Sequence, residues 1–315
     1  MSAAQTVERR FSCVRLSDKV KCSPCISGVK IVGAIGPKKT HNTYNAFKNF
    51  VKSRNVNFIE YDSIKDDSLI KLIKNLKIDI AVVCSFNDKI PLKFINAIKD
   101  GIINLHPSLL PQYRGGNPYA RVIMNGEKQT GVTLHFMSEG FDEGDIIAQE
   151  VCELFPYETM GTIFNRTNNI GVAMLVKALI HYEKTGSLPR TKQPEGEFIK
   201  APNIADEEMI LNFNKPATEL ERLVRALNPY FSAVTFFKNQ VVRVHKATVA
   251  HLNDVEKYSN GQICAIKDNK VYIKTSDGCI IPEVLQFSGY FTGDCIDFIR
   301  ITQPNIGDTF TNGYS

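Results

Sequence analysis

The chain has 315 residues, 43% of them hydrophobic, 23% charged and 10% aromatic, which is enough for two domains that each bury a core. No run approaches the roughly 18 to 20 apolar residues of a membrane span, and the N-terminus MSAAQTVERRFSC lacks the apolar stretch of a signal peptide, so the expected home is cytoplasmic. The net charge of +5 is uneven: residues 1–204 carry 27 Lys and Arg against 20 Asp and Glu, whereas Ala205 onward carries 11 against 13, a poor composition for gripping nucleic acid.

At the start, RRFSCVRLS reads as a strand and DKVKCSPCISG as a helix. Cys22 and Cys25 in CSPC suit either a redox pair or a local helix with two incidental thiols; no second pair stands at zinc spacing, and the helix is the reading taken. The eight cysteines are read as reduced. Next come a short apolar run closed by glycine (VKIVGAIG, 29–36), a helix (44–55), a strand (57–62), an amphipathic helix (66–77) and an apolar strand (78–86). PLKFINAIKDG (91–101) has Pro at the first helical position and Gly at the end, so it predicts a helix, and IINLH (102–106) is the next strand. Strands follow at 130–137 and 144–154, then a long helix at 159–186. This alternation predicts an α/β domain over 1–186 with a mainly parallel sheet.

SLPRTKQPEGEFIKAPNI (187–204) has three prolines and no hydrophobic period, and is taken as a linker. The remainder, 205–315, opens with a helix (216–227) and continues as short β-rich runs broken by turn residues, a small antiparallel barrel or sandwich.

Chemistry is expected where IINLH meets the loop PSLLPQYRGGNP, because ligands of open α/β sheets bind beyond the carboxyl ends of strands. Side chains alternate along a strand, so Asn104 and His106 share a side and Leu105 points away. An amide donor beside an imidazole suits a reaction in which a carbonyl becomes an oxyanion while a proton moves. A third polar group is offered by EGFDEGDI, which carries Asp142 and Asp145, with Gly140 and Gly144 giving the backbone freedom to fold over a ligand. An Asn and a His at a strand end are also ordinary turn formers, and the local pattern leaves both readings open.

The continuous stretch from INLHPSLLPQYRGG through TGVTLHFMSEGFDEGD resembles the signature of the folate-dependent formyltransferases: Asn-x-His, Ser-Leu-Leu-Pro, Arg-Gly, a Thr-Gly-Val-Thr strand and Asp-x-Gly. The resemblance implies a Rossmann-like catalytic domain. Its catalytic residues fall on Asn104, His106 and Asp142, and its Leu110–Pro111 bond would be cis. The implied reaction moves a formyl group from 10-formyltetrahydrofolate to a primary amine without a metal. The folate is expected against SFNDKIP and the acidic turn, with Phe86, Asn87, Lys89, Ile90 and Phe141 as its contacts. Ser108, Arg114 and Gly115 are the candidate contacts to the acceptor, with a structural loop role as the equal alternative for Arg114, and His135 is expected to support rather than perform the chemistry.

The C-terminal part resembles, more loosely, the second domain of methionyl-tRNA formyltransferases, through LERLVRALNPYFSAVTFFKNQVVRV and GCIIPEVLQ. Those enzymes carry a basic insertion after the second strand, where this chain reads GAIGPKKTHNTYNAF. The first strand of the family normally leads into a glycine-containing turn, which SCVRLSDKVKCS lacks. With a short loop and an acidic balance, the favoured acceptor is a nucleotide-linked amino sugar, with tRNA second and a binding protein without turnover third. No membrane partner is expected, and a homodimer stays open.

Overall fold

The computed structural model describes residues 10–16, 29–36, 39–41, 43–84, 86, 89–287 and 291–313, with backbone only for 10–16 and 291. In the first half β1 (Arg10–Leu16), β2 (Val29–Ile35), β3 (Phe58–Ile59), β4 (Ile80–Cys84), β5 (Ile102–His106), β6 (Gln129–Phe136) and β7 (Ile146–Glu153) form one sheet, ordered β3-β2-β1-β4-β5-β6-β7. β2–β3 and β4–β5 pair parallel and the remaining neighbours antiparallel, so β1 and β6 alone run against the other five. The α/β, mainly parallel sheet is therefore present. Its RRFSCVRLS strand lies antiparallel between β2 and β4, while the helix expected over CSPC falls outside the described residues.

Burial on both faces explains the continuous apolar runs of β4 and β5. Ala81, Val83 and Ile102 face Ile70, Ile73 and Phe94, whereas Ile80, Val82 and Ile103 face Val132, Leu134, Met174 and Leu179. The first face is covered by α2 (Asp67–Asn75) and α3 (Leu92–Ile95), with α1 (Tyr44–Ser53) packed beside β3, and α4 (Pro118–Met124) follows the loop after β5. The helix expected over 91–101 is thus a single turn. The N–H groups of Ala97 and Ile98 tighten onto carbonyls three residues back, and those of Lys99 and Asp100 turn away to Ile78 and Asp79.

The second face is covered by α5 (Met160–Thr185). Thr159 and Thr162 cap its start reciprocally, and Gly186, at φ 72°, ends it in the left-handed conformation. A Cβ added at Gly171 would lie 2.4 Å from Leu105 Cδ2, so this glycine lets the helix approach the end of β5 and seat Leu105.

The second half is α6 (Ala217–Leu227), β8 (Ala233–Phe237), β9 (Gln240–Ala250), β10 (Ile263–Lys267), β11 (Lys270–Lys274), β12 (Cys279–Phe287), β13 (Phe291–Asp294), α7 (Cys295–Thr302) and β14 (Phe310–Thr311). Its strands pair antiparallel in the order β10-β11-β12-β9-β8-β14, with β13 on β12. Two-residue turns at Lys238-Asn239 and Asp268-Asn269 have positive φ at both positions, the geometry that matches the twist of a hairpin. The sheet curls until its edges meet: Gln262 bridges Thr309, and the Phe310 N–H donates to the Gly261 carbonyl at 2.8 Å. Leu220, Val224 and Leu227 of α6 fill the curl together with Phe237, Phe298 and Phe310.

The halves are joined by packing and by chain. Ala120, Ile123, Met160 and Ile163 pack with Ala201 and Ala226, and Arg121 of α4 grips both oxygens of Glu208 at 2.5 and 2.8 Å. The connecting segment is bound to the first domain by its backbone: Thr191 bridges Ile146, the Tyr113 N–H donates to the Ile199 carbonyl at 2.6 Å, and the Ala201 N–H donates to the Arg114 carbonyl at 2.7 Å.

Candidate active site

β5 delivers Asn104 and His106 to the carboxyl edge of the sheet, with Leu105 packed back toward α5. β6 lies beside it, pairing Asn104 with His135 and His106 with Thr133. The turn between β6 and β7 brings Asp142, at φ 56°, over both. Left-handed backbone is uncommon for a residue with a side chain, though Asp tolerates it better than most.

His106 is buried, and its Nε2 lies 2.9 Å from the Tyr113 carbonyl oxygen. A carbonyl only accepts, so that nitrogen carries the proton and Nδ1 of the neutral ring is a lone pair. Nδ1 faces Asp142 Oδ2 at 3.5 Å. Burial lowers the imidazole's pKa, against the raising pull of Asp142 and of the Tyr113 carbonyl, so the ring is neutral near pH 7. Burial works to raise the Asp142 carboxyl, but in acid, where His106 is an imidazolium, its charge outweighs burial together with His135 and the Gly115 N–H, and the carboxyl is held at about 2. The result is a base facing a carboxylate, a place where an incoming proton on Nδ1 would gain an ion pair.

His135 Nδ1 donates to the Phe136 carbonyl at 2.8 Å, which leaves its Nε2 to accept from Asn104 Nδ2 at 3.2 Å. The same amide nitrogen stands 3.5 Å from Asp142 Oδ1, the limit of a hydrogen bond. One N–H of Asn104 is therefore fixed, and the other is held weakly enough to turn toward a developing oxyanion.

These groups open on a cavity of about 550 Å³, within the usual range for small-molecule sites. Phe86, Lys89, Ile90 and Phe141 form one wall, with Lys89 Nζ 5.9 Å from the centre of the Phe141 ring. Tyr119, Met160 and Phe164 form another, and the C-terminal half closes it with Ile204, Tyr230 and Phe231. An apolar slot beside a polar end suits a flat heterocycle carrying a reactive group. Among the described residues no cluster of His, Cys, Asp or Glu is placed to hold a metal ion, and no helix is long and apolar enough to cross a membrane.

Of the residues expected from sequence, Asn104, His106 and Asp142 meet, and Phe86, Lys89, Ile90, Phe141 and Gly115 line the same cavity. Asn87 lies outside the described residues. Ser108 and Arg114, expected to meet the acceptor, do not line it. The Ser108 hydroxyl is fully buried and donates to the Gln112 carbonyl at 2.6 Å. The Arg114 guanidinium donates to Gln193 Oε1 at 2.6 and 3.2 Å and faces Glu143 at 3.7 Å. The Leu110–Pro111 peptide is cis. Sequence reasoning missed Gln193 altogether, and nothing in its neighbourhood signals it.

The chain is similar to known proteins in both its halves. Residues 29–179 match the family model described as formyl transferase, and 203–301 match the formyl transferase C-terminal domain. The first match begins at Val29, so the segment SCVRLSDKVKCS, which lacks the family's glycine-containing turn, stands outside it. The methionyl-tRNA formyltransferase of Lachnospira eligens is 31% identical over 267 residues, 84% of either chain, and that of Blochmanniella pennsylvanica is 33% identical over 258 residues, 79% of either chain. Among solved structures, the sugar 3N-formyl transferase WlaRD superposes with a TM-score of 0.58 at 20% identity, covering 82% of this chain and 88% of its own. HypX from Aquifex aeolicus in complex with tetrahydrofolic acid gives 0.57 at 20% identity, over 82% of this chain and 45% of its own. The protein is a folate-dependent formyltransferase: it belongs, in both its domains, to the formyl transferase family.

Proposed function

We propose that the acceptor is the α-amino group of methionyl-tRNA. The observation that carries this reading is the similarity to methionyl-tRNA formyltransferases at 30 to 33% identity, running through both domains over about four fifths of either chain. The N-formyltransferases of known structure, a sugar 3N-formyl transferase among them, are similar at 18 to 24% identity, a likeness of fold. The cavity supports the same reading, since Ile204, Tyr230 and Phe231 make the C-terminal half one wall of the cleft that an acceptor must enter. The shorter loop after β2 and the acidic total argued for a nucleotide-linked amino sugar. A total, however, sums over a whole domain, while nucleic acid reads the charge of one face.

In the proposed reaction the amine attacks the formyl carbon of 10-formyltetrahydrofolate. Asn104 donates its weakly held N–H to the resulting oxyanion. The amine proton passes to His106 Nδ1, directly or through water, and the imidazolium is stabilised by the ionised Asp142. Collapse breaks the bond between the formyl carbon and N10, and the same proton goes to N10 as it leaves. Much of the rate comes from holding two large substrates in line.

The test is an assay with 10-formyltetrahydrofolate against methionyl-tRNA and, in parallel, a panel of nucleotide-linked amino sugars, read by mass spectrometry. Formylated methionyl-tRNA with untouched sugars is expected. A formylated sugar with untouched tRNA would overturn the choice of acceptor and leave the chemistry standing.

A further inference from the structure

The segment joining the two domains does more than connect them. At Gln193 it places a carboxamide between two parts of the active-site framework. Its Nε2 donates to the carbonyls of Asp142 and Gly144, both at 2.8 Å, while its Oε1 accepts from Arg114 Nε and Nη2 at 3.2 and 2.6 Å. All four hydrogen-bonding capacities of the amide are used. Turning the amide over would set its oxygen against two carbonyls and its nitrogen against a guanidinium, so only one orientation satisfies the site. Arg114 is itself braced, 3.7 Å from Glu143 on the same turn and 5.7 Å from the Phe198 ring farther along the segment.

What this amide holds is the backbone of the residue whose carboxylate faces His106. Asp142 sits at φ 56°, a conformation that needs support from its surroundings. We propose that Gln193 is a positioning residue for catalysis: through it the interdomain segment clamps the Asp142–Gly144 turn and keeps the Asp142 carboxylate against His106. The inference rests on the assignment of Asp142 above and is independent of which amine is formylated. The groups that face the carboxylate are Asn104 and His106 from β5, His135 from β6 and the Gly115 N–H from the loop after β5; Glu143, on its own turn, points to Arg114.

Gln193→Ala and Gln193→Glu test it beside Asp142→Asn in the full-length protein. Alanine removes the clamp; glutamate keeps the contact to Arg114 but sets an oxygen against two carbonyls. Both are expected to lower kcat by about tenfold to a hundredfold, with KM for 10-formyltetrahydrofolate changed less than about threefold. The acid limb of the kcat profile should also move to lower pH, as in Asp142→Asn, because His106 loses the carboxylate that raises its pKa. Adding Arg114→Met to Gln193→Ala should cost little more, since the two act as one unit. A purely structural role would lower Tm and leave the limb in place, and that result, or kcat within about twofold of wild type, overturns the proposal. If Asp142→Asn is itself fully active, the failure belongs to the catalytic assignment. The titration of the Asp142 carboxyl in free enzyme, followed by NMR, then decides: a midpoint raised in Gln193→Ala supports the clamp, and an unmoved one overturns it.

Discussion

His106 Nδ1 faces Asp142 Oδ2 across 3.5 Å while the opposite ring nitrogen is tied to the Tyr113 carbonyl. The ring is thus fixed as a base with its lone pair aimed at an anion. Burial disfavours the imidazolium, so the pKa in the folded protein lies below the ordinary 6.5, and the base is available at neutral pH and lost only in acid. The expected kcat/KM profile is flat at neutral pH and falls through a midpoint below 6.5. A midpoint at or above that value would contradict the assignment of His106 as the base.

The turn that carries Asp142 is sterically determined at Gly144. A Cβ there would stand 1.8 Å from the Phe136 carbonyl oxygen, and the Gly144 carbonyl is one of the two gripped by Gln193. Gly144→Ala must therefore displace the turn. The expected protein is folded, by circular dichroism, with kcat reduced at least about tenfold. Full activity would mean that the turn does not set the catalytic geometry.

Phe141 is 63% exposed at the cavity rim, next to Lys89. A large exposed aromatic beside a cation is well placed to cover a heterocycle and its acidic tail. Phe141→Ala should raise KM for 10-formyltetrahydrofolate by about tenfold and change kcat by less than about threefold. An unchanged KM would move the folate away from this wall.

Legibility in the sequence followed the range of the interactions concerned. Alternation in IINLH sufficed to put Asn104 and His106 on one side, because a strand's period of two is a local property. The caps of α5 were likewise local, and its limits were readable from Thr159 and Gly186. The helix expected over 91–101 stopped after one turn because Lys99 and Asp100 gave their N–H groups to Ile78 and Asp79, a tertiary choice that propensity does not encode. The antiparallel direction of β1 was equally hidden, since a strand-like run carries no sign of its direction. Gln193 is the extreme case: one amide in a stretch without hydrophobic period, bonded to an arginine 79 positions away. The partner of Arg114 was hidden for the same reason, being invisible from the loop in which the arginine sits.

The domain junction makes a prediction about stability. Arg121 and the Ala205 N–H hold the Glu208 carboxyl at about 2, below its ordinary 4.5. A carboxyl with a depressed folded pKa stabilises fully above its unfolded pKa, and that contribution is lost as pH falls through the folded one. The Tm difference between wild type and Glu208→Gln should therefore be constant above about pH 4.5 and shrink as pH falls toward 2. A difference that grows in acid would show that the junction draws nothing from this carboxylate.

The most direct test of the account is the single-turnover rate of formyl transfer, with donor and acceptor saturating, in Asn104→Ala, His106→Ala and Asp142→Ala. The account predicts that each slows transfer by at least about a hundredfold while the affinity for 10-formyltetrahydrofolate stays within about threefold of wild type. Transfer at near wild-type rate in any one of them would contradict the assignment of that residue to the chemistry.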